Sequence, residues 1–238
     1  MNQFSRSESV FGTEGIDILK KANVIVFGLG GVGSYCVEAL VRSGVGKIAL
    51  VDNDDYSLTN LNRQLFALHS TLGQKKVDVA EKRIKDINPE CEVQKFEMFY
   101  LPENSSLIDI ASYDYIVDCI DTVSAKILLA QKAQEFGVPI ISSMGTGNKL
   151  NPLDFEVSDI YKTQICPLAR VIRKELKARG VKKLKCVYSK ESPRTLKIPT
   201  NELKGKNPAP GSVSFVPSVA GLILASEVIK DLLQLNDE

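Results

Sequence analysis

The sequence predicts a doubly wound, Rossmann-like α/β fold with a mainly parallel sheet, and three observations carry that expectation. Short apolar runs of strand length alternate with longer amphipathic segments, the glycine-rich stretch at 28–33 directly follows the first run, and Asp52 closes the second. Strands that alternate with helices and read as near-continuous apolar runs belong to parallel sheets covered on both faces.

The first run, VIVFG, begins at Val24, and a helical stretch then leads to about Ser43. KIALVD follows at 47–52, and further strand-like runs cover 92–96, 115–118 and 139–144. Between them, residues 74–87 and 124–136 carry helical spacing. Asn88-Pro89 and Gly137-Val138-Pro139 break the chain where helices of that length must end. After Gly145 the alternation fades into a turn region, then a basic helix at 167–179 and a strand-like LKCVYS, expected as a smaller second layer. Residues 189–211 show neither a period of two nor of 3.6 and are expected to form a loop that moves. Helical spacing resumes over 218–233, with Val219, Leu222, Ile223 and Val228 apolar. The expected organisation is one domain over 1–238, with a nucleotide-binding part at 1–150 and a substrate-binding and C-terminal part at 151–238.

Composition narrows the function. Thirty Lys and Arg against 29 Asp and Glu give a formal net charge of +1, so a nucleic-acid surface would have to come from local clustering. Cys36, Cys91, Cys119, Cys166 and Cys186 form no CxxC pair, and His69 is the only histidine, which argues against structural zinc. Scattered thiols, and an N-terminus without the apolar core of a signal peptide, suit the cytoplasm. The longest uncharged stretch, 207–226, contains Pro208, Pro210 and Pro217, which argues against a membrane span.

GLGGVG fits GxGxxG between a strand and a helix. Gly28 permits the tight turn, Gly30 lets backbone N–H groups approach a phosphate, and Gly33 lets helix and strand pack closely. Asp52, at the end of the second strand, can accept ribose hydroxyls. Alone, these features read as a nucleotide fold, NAD first. A dehydrogenase would need a hydride-transfer constellation with an acid in a substrate domain, and His69 is badly positioned for that task. The following DNDDYSLTNLNRQ and GQKK put Asn60, Arg63 and Gln64 in one loop, with Lys76 one helical entry later. Arg63 and Lys76 can neutralise charge that develops as pyrophosphate leaves, whereas Lys75 reads as a solvated cation. DCIDT sets Asp118 and Asp121 at the end of the fourth strand, where Asp121 can hold Mg²⁺ on the phosphates and Asp118 can simply end the strand.

Together GLGGVG, VDNDDYSLTNLNRQ, GQKK and DCIDT resemble the ubiquitin-activating-enzyme superfamily, in its bacterial ThiF/MoeB/HesA-like branch, over roughly the first 150 residues. The resemblance implies adenylation of a carboxylate with ATP and Mg²⁺. It implies Gly31 near phosphate, Asp52 on the ribose, Asn60, Arg63 and Lys76 on phosphates, and Asp121 near the metal. It further implies a homodimer, in which Arg6 of a second copy reaches the γ-phosphate.

From Lys162 to Lys185 nine Lys and Arg face one acid, Glu175. On a helical wheel Leu168, Val171, Ile172 and Leu176 share one arc, and Arg170, Arg173, Lys174 and Lys177 lie opposite. A merely solvated helix interleaves both signs, so this concentration points to phosphates as its partner. With KTQICPLARVIRKELK and the following CVYSKE, the chain resembles the tRNA threonylcarbamoyladenosine dehydratases over nearly its whole length. That resemblance implies ATP-dependent cyclisation of the threonylcarbamoyl group on the adenosine beside the anticodon, through an acyl adenylate that the neighbouring urea group attacks. It implies tRNA as partner, and in some relatives a cysteine-desulfurase sulfur acceptor and a monovalent cation, Na⁺ or K⁺. The alternative is an adenylyltransferase for the C-terminal diglycine of a ubiquitin-like sulfur carrier, whose usual paired CxxC motifs are missing here. A third reading, an NAD-binding protein, leaves Arg63 and Lys76 without a task. Cys166 and Cys186 lie in the basic region, and the reading of all five thiols as ordinary buried ones is preferred.

Overall fold

The computed structural model describes residues 2–200, 203–204 and 207–235. Five parallel strands form the core of the sheet: β1 (Asn23–Phe27), β2 (Lys47–Val51), β3 (Glu92–Phe96), β4 (Tyr115–Asp118) and β5 (Ile140–Ser143). The helices between them are α2 (Gly33–Ser43), α3 (Lys76–Ile87) and α4 (Val123–Phe136), and a further helix, α1 (Ser5–Lys21), precedes the sheet. The sequence reading did not include α1, which kinks at Gly12, where φ is +75°.

The second part of the chain joins the same sheet instead of forming a layer of its own. After β5 the chain forms β6 (Phe155–Asp159), α5 (Pro167–Ala178) and β7 (Lys185–Ser189), and β7 pairs parallel with β5. β6, absent from the sequence reading, runs antiparallel along the outer edge of β7. Strand order is β3-β2-β1-β4-β5-β7-β6, with a small hairpin of β8 (Leu203–Lys204) and β9 (Asn207–Pro208) apart from it. The final helix, α6 (Phe215–Leu232), packs against α2 and covers one face with buried Val216, Ala220, Leu224 and Val228. Between β1 and β4 the order reverses, and the strand ends there open a crevice, the ligand position of doubly wound sheets. Among the described residues no helix is long and apolar enough to cross a membrane.

Candidate functional site

The turn after β1 is fixed by the packing of its own backbone. Gly28 has φ +89°, donates its N–H to Val51 O at 2.8 Å, and would bring a Cβ within 2.9 Å of Cys119 O. A Cβ on Gly33 would stand 1.8 Å from Gly28 O, so strand and helix tolerate only glycine there. Gly30 differs: its Cβ would meet nothing nearer than Gln64 Nε2 at 3.9 Å, so its freedom serves the open side. Gly31 faces Pro217 and Arg63. Gly28, Gly30, Gly31 and Val32, the turn that leads into α2, line a crevice of about 1640 Å³, the position of anion sites at helix N-termini. Ser34 Oγ ties this turn to the next loop, donating to Gly30 O at 2.7 Å and accepting from Leu65 N at 3.1 Å.

Asp52 lines the crevice with a preset carboxylate. Oδ2 accepts from Leu29 N at 2.6 Å and Oδ1 from Asp54 N at 2.9 Å. Burial pushes this carboxyl up, against the pull of the Lys76 ammonium and of the two backbone N–H groups. Lys76, in the first turn of α3, is buried, with Nζ 2.8 Å from Asp54 Oδ2 and 3.8 Å from Asp52 Oδ1. Its neighbour Lys75 turns away into ion pairs with Asp55 and Glu97, both at 3.0 Å. Asn60 Oδ1 accepts from Ser57 N at 3.1 Å, closing the short turn that presents Arg63. Arg63 lines the crevice and is steadied through NH1 by Thr59 O at 2.8 Å and Asn62 Oδ1 at 2.9 Å.

Two buried side chains in this region, Gln64 and Lys126, had no stated role in the sequence reading. Gln64 is buried in the crevice wall and its Oε1 has no hydrogen-bond partner. Its adjacency to Arg63 was the only available signal. Asp118 and Asp121 part company: Asp121 is exposed in the crevice, whereas Asp118 is fully buried beneath it. Asp118 Oδ2 lies 3.0 Å from Lys126 Nζ and 2.6 Å from Ser142 Oγ, and Oδ1 accepts from Ile120 N at 3.2 Å. Lys126 also donates to Ser142 Oγ at 3.2 Å and Ser143 O at 2.7 Å, so this buried cation joins the ends of β4 and β5.

The opposite wall consists of the segment after β5 and the start of α5. Asn148, with φ +59°, accepts from Gly211 N through Oδ1 at 2.7 Å and from Arg194 N through its carbonyl at 2.8 Å. Glu191 Oε2 accepts from Leu150 N and Asn151 N, each at 2.8 Å, and Lys149 Nζ donates to the Glu191 carbonyl. Within 189–211, expected to form a moving loop, Glu191, Arg194 and Gly211 are thus bonded to residues 148–151 of this wall. Residues 201, 202, 205 and 206 of that expectation lie outside the described residues. Burial holds the Lys149 ammonium below its usual range, against the pull of Cys166, Glu191 and Asp154.

On α5 the buried row is Ala169, Ile172 and Leu176, and Arg170, Lys174 and Lys177 are exposed. Arg173 departs from the expected basic face. Its NH1 turns inward to Thr163 O at 2.8 Å and Thr163 Oγ1 at 2.7 Å, because the chain climbing toward α5 offers acceptors there. Val171, expected on the docked arc, is 44 % exposed. Arg6 is exposed on α1 and does not line the crevice of its own chain. His69 is exposed in a short turn. Four of the five thiols are buried and Cys119 is half-buried; burial pushes Cys186 up to about 12 and Cys36 and Cys119 upward.

Residues 4–238 match the model of the ThiF family. The tRNA threonylcarbamoyladenosine dehydratase of Bacillus subtilis is 46 % identical over 243 residues, covering 98 % of this chain and 96 % of that protein. The Escherichia coli protein of the same name is 35 % identical over 198 residues, covering 80 % of this chain and 74 % of its own. The crystal structure of E. coli tRNA N6-threonylcarbamoyladenosine dehydratase in complex with ATP superposes with a TM-score of 0.88 at 31 % identity, covering 98 % of this chain and 94 % of that one. Family model, relatives and solved structure agree along nearly the whole length, and the chain belongs to the ThiF family.

Proposed function

We propose that this protein is an ATP-dependent tRNA threonylcarbamoyladenosine dehydratase acting in the cytoplasm. One observation carries the reading: the phosphate turn, Asp52, Arg63, Lys76 and Asp121 share a single crevice with the start of the basic helix α5. ATP lies with its phosphates at the N-terminus of α2 and its ribose on Asp52. Asn60, Arg63 and Lys76 contact phosphates, and Arg6 comes from a second copy. The substrate carboxylate attacks the α-phosphorus, pyrophosphate leaves with its charge met by Arg63 and Lys76, and an acyl adenylate results. The neighbouring urea N–H then attacks the acyl carbon, AMP departs and a proton is released, so the ring closes with net loss of water from the nucleoside. Holding the internal nucleophile beside the acyl group makes this step nearly unimolecular. Dehydratase relatives that cover 98 % and 80 % of the chain favour this over activation of a sulfur carrier's diglycine tail.

Mg²⁺ fits the donor set. No cluster of three or more His, Cys, Asp or Glu that could hold a metal occurs among the described residues. Asp121, one of the exposed carboxylates that line the crevice with Asp54 and Asp55, suits an ion that takes most of its ligands from phosphates and water. When bound, the ion neutralises phosphate charge. The reading includes a monovalent cation, Na⁺ or K⁺, to which no residue is assigned. It also includes a homodimer, supported by the exposed apolar Val10 and Ile18 on α1 and Leu222 on α6. With four of five thiols buried, a cysteine-desulfurase sulfur acceptor is not favoured as a partner.

The test is mass spectrometry of nucleosides from threonylcarbamoylated, uncyclised tRNA incubated with protein, ATP and Mg²⁺ under conditions that preserve the ring. Loss of one water, dependent on ATP, is the expected result; intact starting nucleoside would move the assignment to a protein C-terminus. Within α5, the triple reversal R170E/K174E/K177E is expected to weaken tRNA binding at least a hundredfold at low salt while sparing ATP binding, since phosphate contacts dominate such affinities. Arg173 is left out of that set because it anchors Thr163. Unchanged tRNA affinity in a filter-binding titration would remove α5 from the interface.

A further inference from the structure

Two helices begin at the crevice. Thr122, just before α4, lines it, as do Pro167 and Leu168 at the start of α5. Beyond the crevice α4 and α5 leave between them an open groove of about 500 Å³. Val123, Ile127 and Leu128 form one wall, Val171 and Arg179 the other, and Pro102 from the connection after β3 also contributes. The size lies in the range of small-molecule pockets. Both walls are continuous with the crevice, so a polymer whose reacting unit sits in the crevice meets this groove with its neighbouring units.

The groove has a particular chemistry. On α5 the row Val171, Glu175, Arg179 faces it, and the exposed row Arg170, Lys174, Lys177 runs beside it, about 100° around the helix. Glu175, the one acid on this helix, is taken up by Arg179, whose NH1 donates to its Oε2 at 2.5 Å and to its carbonyl at 3.0 Å. The guanidinium is therefore held in place. An apolar slot with a fixed guanidinium, bordered by cations without matching acids, combines the two elements that bind single-stranded nucleic acid, a base platform and a phosphate track. An acidic peptide would use the cations and leave the slot unexplained.

We propose that the α4–α5 groove receives a nucleobase of the RNA flanking the nucleotide held in the crevice, with Arg170, Lys174 and Lys177 on the adjoining phosphates. This inference rests on the dehydratase reading and adds to it a subsite for a neighbouring base.

The test pairs Val171→Glu with RNA that lacks the base. Three threonylcarbamoylated anticodon stem-loops are compared: intact, abasic at the nucleotide 5′ of the modified adenosine, and abasic at the nucleotide 3′ of it. For the wild type, one abasic substrate is expected to raise KM about tenfold, the worth of one lost base contact. Val171→Glu is expected to raise KM for the intact stem-loop by a similar factor, to change KM for that abasic RNA less than twofold, and to leave KM for ATP unchanged. Such non-additivity marks a direct contact. Equal weakening of intact and abasic RNA would mean that the new charge only repels phosphates, and would overturn the proposal, as would no effect on either. Val171 is partly exposed, so the variant is expected to fold; thermal denaturation of both proteins checks this, and Val171→Asn, which brings no charge, repeats the comparison if it does not. Failure of the wild type to cyclise even the intact stem-loop and full-length tRNA would overturn the dehydratase reading itself, and this inference with it.

Discussion

Lys126→Met is expected to lower the stability of the protein by about 3–5 kcal/mol, the usual cost of stripping one partner from a buried ion pair. Lys126 and Asp118 are each about 1 % exposed in their side chains, so the orphaned carboxylate could not recover water. The ammonium also serves Ser142 Oγ and Ser143 O on β5, so its loss leaves these acceptors short of a donor as well. Urea denaturation of both proteins checks the figure; a loss under 1 kcal/mol would show that the pair is hydrated or dispensable. The double variant Lys126→Met/Asp118→Leu is expected to regain most of the lost stability, because an apolar pair of similar volume avoids desolvating two charges. Both β4 and β5 deliver crevice walls just beyond this pair, at Cys119–Asp121 and Ser143–Lys149 by position, so its integrity sets the spacing of these two walls.

Arg63→Ala is expected to reduce substrate-dependent ATP–pyrophosphate exchange by about 10²–10³-fold, the range for losing one preorganised charge donor at a developing anion. Stability is expected to stay within about 0.5 kcal/mol, since Arg63 bonds only to its own loop at Thr59 and Asn62. Lys76 makes a less clean test. It is buried against Asp54 and Asp52, so its removal strands acidic partners as well as the phosphate proposed to lie there. A fall of less than tenfold for Arg63→Ala would take that residue out of the transition state.

Much of this geometry was legible in the sequence because parallel strands buried on both faces leave continuous apolar runs. The bounds expected for 115–118 coincide with β4, which is buried along its whole length. Those for 92–96 coincide with β3, a half-polar border strand marked by the helix and the Asn88-Pro89 break before it and not by an apolar run. Glycines 28 and 33 were legible for a related reason, since a backbone that excludes a Cβ leaves few residues to choose from. What escaped depends on partners distant in sequence. β6 is half polar and sits at an edge, so its FEVSD carries no apolar run. Lys126 lies in a helix where a lysine ordinarily faces water, and only the fold brings Asp118 and Ser142 beneath it. The helical wheel set Arg173 on the basic face, where Thr163 instead draws its guanidinium inward, and it assigned Val171 to a face whose neighbour, α4, stands off. For Asp118 and Asp121 the sequence separated a strand end from a loop, and the structure buries the one and exposes the other.

The two borders of the sheet share a trait with a consequence for life in a crowded solution. β3, at one border, carries Glu92 paired with Lys47 and Lys95 paired with Asp78 and Glu81. β6, at the other, carries Glu156 paired with Lys190. A stray strand adding to either border would have to strip these pairs of partners or water, which is how natural sheets resist open-ended stacking. Growth by sheet extension is thereby disfavoured at both borders, which keeps the open strands from serving as templates for a second chain.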